Sequence, residues 1–223
     1  MIDTIIVSGG SIDEAFALDF LRKNITAAAP EKVLLAAADS GYAFFKRVGI
    51  TPDLAVGDFD SLSLEGRRAL DAEQHTEVIR LKPEKDDSDT QSTLNTVIRR
   101  GSKEIAILGA TGTRLDHMLA NLGLLLLGAE QNADITIVDA HNYMKLIPSG
   151  TVLHRDEQFG KYVSFFPLGG DVTGLTLRGF KYALDGYHLR TRDSGLTVSN
   201  EILEEKAMVT YEGGTLLMIM SRD

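Results

Sequence analysis

Cysteine is absent from the 223 residues. That excludes disulfides and thiolate metal sites, and it fits a reducing cytoplasm. No basic region followed by an apolar stretch opens the chain, so no signal peptide is expected. Long apolar runs are also missing. The richest, around residues 122–127, falls far short of the roughly 20 residues a spanning helix needs. A soluble cytoplasmic protein is the expectation, with no membrane partner. There is no basic stripe, and the net charge is −9, so nucleic-acid binding is not expected. Neither a G-x-x-x-x-G-K-[ST] loop nor a G-x-G-x-x-G turn occurs, which removes the two commonest glycine-rich phosphate signatures.

What is present divides into two styles. Short apolar runs at 4–7, 33–37, 54–56, 77–81, 104–108 and 134–138 alternate with helical stretches at 12–24, 41–48, 64–73, 88–99 and 116–130. Consecutive Val, Ile and Leu at strand length suit strands buried on both faces, and the alternation predicts a mainly parallel sheet with helices on both faces. Ser11-Ile12-Asp13-Glu14 reads as a capping box for the first helix. Beyond residue 140 the pattern changes to short runs at 152–154, 162–167, 172–177, 186–189, 196–198, 207–211 and 215–220, separated by glycine turns. These predict a C-terminal β-sandwich or barrel. The expected boundary lies at Pro148-Ser149-Gly150, giving domains 1–147 and 148–223. The first carries 15 Lys and Arg against 22 Asp and Glu, a net of −7, and the second a net of −2.

Acidic residues follow the predicted strands. Asp39 follows the second, and Asp58 and Asp60 follow the third in Gly57-Asp58-Phe59-Asp60-Ser61. Asp86, Asp87 and Asp89 follow the fourth, and Asp116 follows the fifth in Gly112-Thr113-Arg114-Leu115-Asp116-His117. In open α/β sheets the ligand crevice lies outside the carboxyl ends of the strands, so several strands deliver carboxylates to one edge. Two carboxylates about 5 Å apart repel by roughly 3 kcal/mol at an effective dielectric near 20. A divalent cation reverses that sign, and an oxygen-only donor set suits Mg²⁺, which bridges substrate phosphates. The i, i+2 spacing of Asp58 and Asp60 points both to one side if the segment is extended, and the three-residue spacing of Asp86 and Asp89 allows them to share a face. Gly109-Ala110-Thr111-Gly112, with Arg114, resembles a phosphate-cradling turn ahead of a helix. Ser8-Gly9-Gly10-Ser11 is a second candidate cradle. The run Ser194-Gly195-Leu196-Thr197-Val198-Ser199-Asn200 offers small polar groups for a polar ring.

Taken together, Ala38-Asp39-Ser40-Gly41, Gly57-Asp58-Phe59-Asp60-Ser61, Lys85-Asp86-Asp87-Ser88-Asp89, Gly112-Thr113-Arg114-Leu115-Asp116-His117 and Ser199-Asn200-Glu201 resemble, in order and over nearly the whole chain, the thiamine pyrophosphokinase family. The resemblance implies an N-terminal α/β domain that binds ATP and Mg²⁺, a C-terminal β-sandwich that binds thiamine, and a homodimer with sites near the subunit interface. It implies metal ligation by Asp39, Asp58, Asp60, Asp86 and Asp89, and catalytic roles for Asp86, Asp89 and Asp116. ATP contacts are implied for Ser40, Lys85, Ser88, Gly112 and Arg114, and thiamine contacts for Ser199 and Asn200. Some members set tryptophan beside thiamine. This chain has none, so any stacking comes from Tyr or Phe. The expected reaction transfers diphosphate from ATP to the thiamine hydroxyl. A diphosphotransferase acting on a pterin alcohol and a non-enzymatic nucleotide- or thiamine-binding module are the alternatives.

Overall fold

The computed structural model describes residues 1–223 apart from Pro83, Lys85, Thr113 and the side chain of Ser194. The expected ATP contact Lys85 thus lies outside the described residues. The chain divides into two compact units, Met1–Ala140 and His141–Asp223.

In the first unit the apolar runs are strands: β1 Thr4–Val7, β2 Leu34–Ala38, β3 Leu54–Gly57, β4 Glu77–Arg80, β5 Glu104–Leu108 and β6 Asp134–Val138. Helices α1 Glu14–Ala28, α2 Gly41–Val48, α3 Leu64–Ala72, α4 Asp89–Arg99 and α5 Leu115–Glu130 connect them. The six strands pair in parallel in the order β4-β3-β2-β1-β5-β6. Ile5, Ile6, Val7, Leu54, Ala55 and Val56 are fully buried, as helices over both faces of a sheet demand. Edge strand β4 is only partly covered. Local chemistry sets the helix ends. Asp13, not Ser11, caps α1, its carboxylate accepting from Phe16 N–H at 2.9 Å. The capping box expected at 11–14 therefore starts two residues too early, because Asp13 itself reaches the third amide of the helix. Ser63 and Ser88 cap α3 and α4 in the same way, and Gly49 ends α2 at φ +68°.

The strand order fixes where a ligand enters. The chain winds outward from β1 to β4, then returns through α4 to place β5 on the other side of β1. The carboxyl ends of β1 and β5 thus diverge into opposite connections, the switch point at which α/β sheets open a crevice.

The second unit contains β7 Asn142–Ile147, β8 Thr151–His154, β9 Tyr162–Pro167, β10 Val172–Arg178, β11 Leu184–Leu189, β12 Lys206–Thr210 and β13 Leu216–Ser221. They form two antiparallel sheets, β7-β13-β9 and β11-β10-β12-β8. Phe165, Val172, Leu175, Leu189, Val209 and Leu216 fill the core between them, so the unit is the expected sandwich. Two expectations shift. The division falls after Ala140, not after residue 147, because β7 pairs with β13 over its full length. Pro148-Ser149-Gly150 turns one strand into the next rather than linking domains. The run expected as a strand at 196–198 is the end of a 3-10 turn, Thr191–Leu196, and the residues after it. Leu196 and Val198 are 47% and 43% exposed while Thr197 is buried. Its hydroxyl donates to Phe165 O, so the alternation there is inverted relative to a strand with its apolar face inward.

Phe165 is fully buried and meets Phe180 edge-on at 5.6 Å. Phe165→Ala is expected to destabilise the protein by about 3–5 kcal/mol, read as a lower midpoint in urea denaturation. A change below the error of that measurement would mean the sandwich core does not carry the second unit.

Candidate active site

At the switch point three backbones approach without side chains between them. A Cβ on Gly41 would lie 1.9 Å from Val7 O, one on Gly10 2.3 Å from Gly109 O, and one on Gly109, which sits at φ +69°, 2.5 Å from Ser8 O. Only glycine allows such contact. Gly10 N–H donates to Gly109 O at 2.9 Å and joins the turns after β1 and β5. Asn121, buried on α5, donates from Nδ2 to Ala110 O at 2.8 Å, and Thr111 Oγ1 donates to Asp139 Oδ2 at 2.5 Å. The result is a crevice of about 750 Å³ within the first unit. Of the expected residues it is lined by Asp39, Ser40, Ser88, Asp89, Gly112, Arg114 and Asp116. Ser8, Gly9, Gly10, Asp87, Thr90 and Asn121 line it as well.

Asp39, Asp58 and Asp60 converge, each offering an oxygen within 4.8 Å of the others. The convergence is local in origin. Asp39 sits at φ +46° between β2 and α2, its N–H bonded to Val56 O at 2.9 Å. Phe59 lies at φ +60°, a position costly for a bulky residue, and is fully buried with Arg80 over its ring at 5.5 Å. Asp58 Oδ1 accepts from Asp60 N–H at 3.1 Å, and Asp60 Oδ1 accepts from Ser61 Oγ at 3.0 Å. A tight turn around the anchored phenylalanine, rather than the extended segment expected from spacing, brings Asp58 and Asp60 together. Asp39 Oδ1 is buried with no hydrogen-bond partner among the described residues. A buried acceptor left so, beside two other carboxylates, fits a divalent cation with oxygen ligands.

The second acidic group is less uniform. Asp86 is exposed and does not line the crevice, whereas Asp87 and Asp89 do. Helical i, i+3 spacing does not apply to Asp86, because α4 begins only at Asp89. Asp87 accepts from Gln91 Nε2 at 2.6 Å and Asn95 Nδ2 at 3.5 Å. Asp116, at the exposed mouth, holds Arg114 through both oxygens at 2.6 and 3.1 Å. The guanidinium hydrogen bonds, helped by His117 N–H at 2.9 Å, hold the Asp116 carboxyl down at about 2. So paired, it is a weak proton acceptor.

In the second unit Asn200 is buried, with both ends of its amide in use. Nδ2 donates to Tyr182 O at 2.8 Å, while Oδ1 accepts from Tyr182 N–H and Glu201 N–H, each at 2.9 Å. Ser199 is exposed at φ +54°, its N–H donating to Ser164 Oγ at 3.0 Å. Tyr182, held by Asn200, is 55% exposed. Nothing in the local sequence singles it out.

A parallel α/β unit with carboxylates and glycine turns at its switch point is the kind of site that holds a polyphosphate through a cation. Residues 27–137 match the family model described as thiamin pyrophosphokinase, catalytic domain, and residues 151–216 the one described as thiamin pyrophosphokinase, vitamin B1 binding domain. The thiamine pyrophosphokinase of Bacillus subtilis (strain 168) is 33% identical over 201 residues, covering 90% of this chain and 92% of that one. The crystal structure of a thiamine pyrophosphokinase from Bacillus subtilis superposes with a TM-score of 0.83 at 32% identity, covering 99% of both chains. That of Candida albicans shares the fold, with a TM-score of 0.77 at 15% identity over 100% of this chain and 90% of that one. The chain belongs to the thiamine pyrophosphokinase family.

The Arg114–Asp116 pair gives a pH test. A depressed carboxyl contributes to folding above its unfolded value of 3.8 and loses that contribution as pH falls through about 2. Carbon-detected NMR titration is expected to place Asp116 near 2 and, in Arg114→Gln, back towards 3.8. An unchanged Asp116 in that variant would mean the guanidinium is not the cause.

Proposed function

We propose that this protein transfers the diphosphate group of ATP to the hydroxyl of thiamine, giving thiamine diphosphate and AMP. The observation that carries the reading is the convergence of Asp39, Asp58 and Asp60 beside a glycine-built crevice, in a chain of this family. Asp39, Asp58 and Asp60 would hold Mg²⁺, with Asp89 and Asp86 as the further ligands the resemblance implies. When bound, the ion neutralises phosphate oxygens and aligns them. The glycine turns after β1 and β5 let the polyphosphate approach the backbone. Ser40, Ser88, Gly112 and Arg114 contact it from the walls, and the N-terminal ends of α4 and α5 favour its charge. To bind an anion Arg114 must loosen its hold on Asp116. Once Arg114 turns to the anion, Asp116 is released from the pairing that holds its carboxyl down, and it joins Asp86 and Asp89 as a candidate acceptor for the proton of the thiamine hydroxyl.

The acceptor belongs on the second unit. Its aminopyrimidine and cationic thiazolium rings need an aromatic face and neutral hydrogen-bonding groups. Tyr182 supplies the face. Asn200 acts by fixing the backbone that presents it, and Ser199 offers an exposed hydroxyl. A pterin acceptor is not favoured, since residues 151–216 match the vitamin B1 binding domain. A homodimer in the cytoplasm completes the reading.

Incubation with ATP labelled at the β position and thiamine tests the reaction. Label is expected in thiamine diphosphate, with AMP formed in equal amount and no ADP. Label retained in ADP, with thiamine monophosphate, would make this a γ-phosphoryl kinase instead. A second measurement tests the aromatic face. Tyr182→Ala is expected to raise KM for thiamine about 3- to 30-fold, the range of a cation over a tyrosine ring, while KM for ATP stays put. Equal changes in both would remove Tyr182 from the acceptor site.

A further inference from the structure

The lining of the crevice includes a pair of buried hydroxyls to which the reading above gives no role. Ser8 follows β1 and Thr90 lies in the first turn of α4. Each is only 7% exposed, and Ser8 Oγ is 2.6 Å from Thr90 Oγ1. Both line the crevice. Two hydroxyls carry two protons, and the bond between them uses one. The second proton meets no acceptor among the described residues. Buried donors are rarely left unmet, because an unmade bond there forfeits the solvation of the group. Ser88 Oγ already caps Gln91 N–H, while the other amides of the same first turn have no intrahelical partner.

We propose that the Ser8–Thr90 pair donates its spare proton to a phosphate oxygen of the polyphosphate in the crevice. The proposal deepens the assignment of the crevice to ATP and rests on it. A neutral donor is what this position calls for. The carboxylates of Asp39 and Asp89 line the same crevice, and a lysine or arginine here would pair with one of them rather than remain free for a ligand. A hydroxyl adds no charge, cannot be captured as an ion pair, and still rewards an anion. Linked in series, each hydroxyl also polarises the other, so the donated bond is stronger than that of a lone serine.

Calorimetric titration tests this with Mg²⁺ and α,β-methylene-ATP, whose bridging carbon prevents the transfer, and with adenosine as a second ligand lacking phosphate. Ser8→Ala and Thr90→Val are expected to weaken the nucleotide analogue about 5- to 100-fold, the range for loss of a buried hydrogen bond to a charged group. Adenosine binding is expected to stay unchanged. Thr90→Ser, which keeps the hydroxyl, is expected to bind the analogue within about twofold of the parent. Thermal melts of the same samples report any loss of fold. If Ser8→Ala and Thr90→Val melt lower but bind the analogue normally, the pair merely ties β1 to α4 and the proposal fails. It fails equally if analogue and adenosine weaken together. Should the parent protein not bind the analogue at all, the assignment of the crevice to ATP falls, and the proposal with it.

Discussion

Direct contact between backbones at the ends of β1, β2 and β5 is the constraint on which the site depends. Val7 O against Gly41, Ser8 O against Gly109 and Gly109 O against Gly10 leave no room for a side chain at any of the three glycines. With side chains there, the strand ends would be forced apart and the turns could not lie side by side. Because they do, the ends of α4 and α5 are drawn to the same place, and the walls of the crevice consist largely of main-chain amides and short polar groups. The sheet supplies the opening through its strand order. The glycines decide how close a ligand comes to the chain.

Charge imposes the second constraint. Three carboxylates with oxygens within 4.8 Å of one another repel. Their positions are over-determined by neighbours: Asp39 by its bond to Val56, Asp58 and Asp60 by the turn around the buried Phe59. Burial of the Phe59 ring offsets a left-handed backbone that costs on the order of 1–2 kcal/mol. The repulsion and the strain reside in the same few residues, and the core supports the second.

The sequence makes some of this legible and hides the rest for physical reasons. β1, β2 and β5 stand out because their residues are apolar on consecutive positions, and the glycine and aspartate clusters mark the strand ends that open the crevice. β7 is obscured: Asn142–Ile147 is buried only at Met144 and Ile147, a spacing that is not that of a strand, and the turn residues after it look like a linker. The acidic turn of Asp58 and Asp60 is visible, but not the left-handed phenylalanine that shapes it, because nothing in a sequence announces a positive φ at a bulky residue. Asp87 is hidden between two neighbours of the same type, Asp86 and Asp89, and only the start of α4 decides which of them faces inward. Ser8 and Thr90 are 82 residues apart, and a hydroxyl has no spacing rule to betray it.

The two bonds that Asn200 makes to Tyr182 fall on the amide nitrogen and carbonyl oxygen of that residue, which every amino acid but proline possesses. Folding therefore prescribes the path of the chain at 182 and leaves the choice of side chain open. The ring displayed to solvent works like an interchangeable fitting on a fixed mount. Selection can enlarge it, shrink it or alter its polarity one residue at a time, without renegotiating the sandwich beneath.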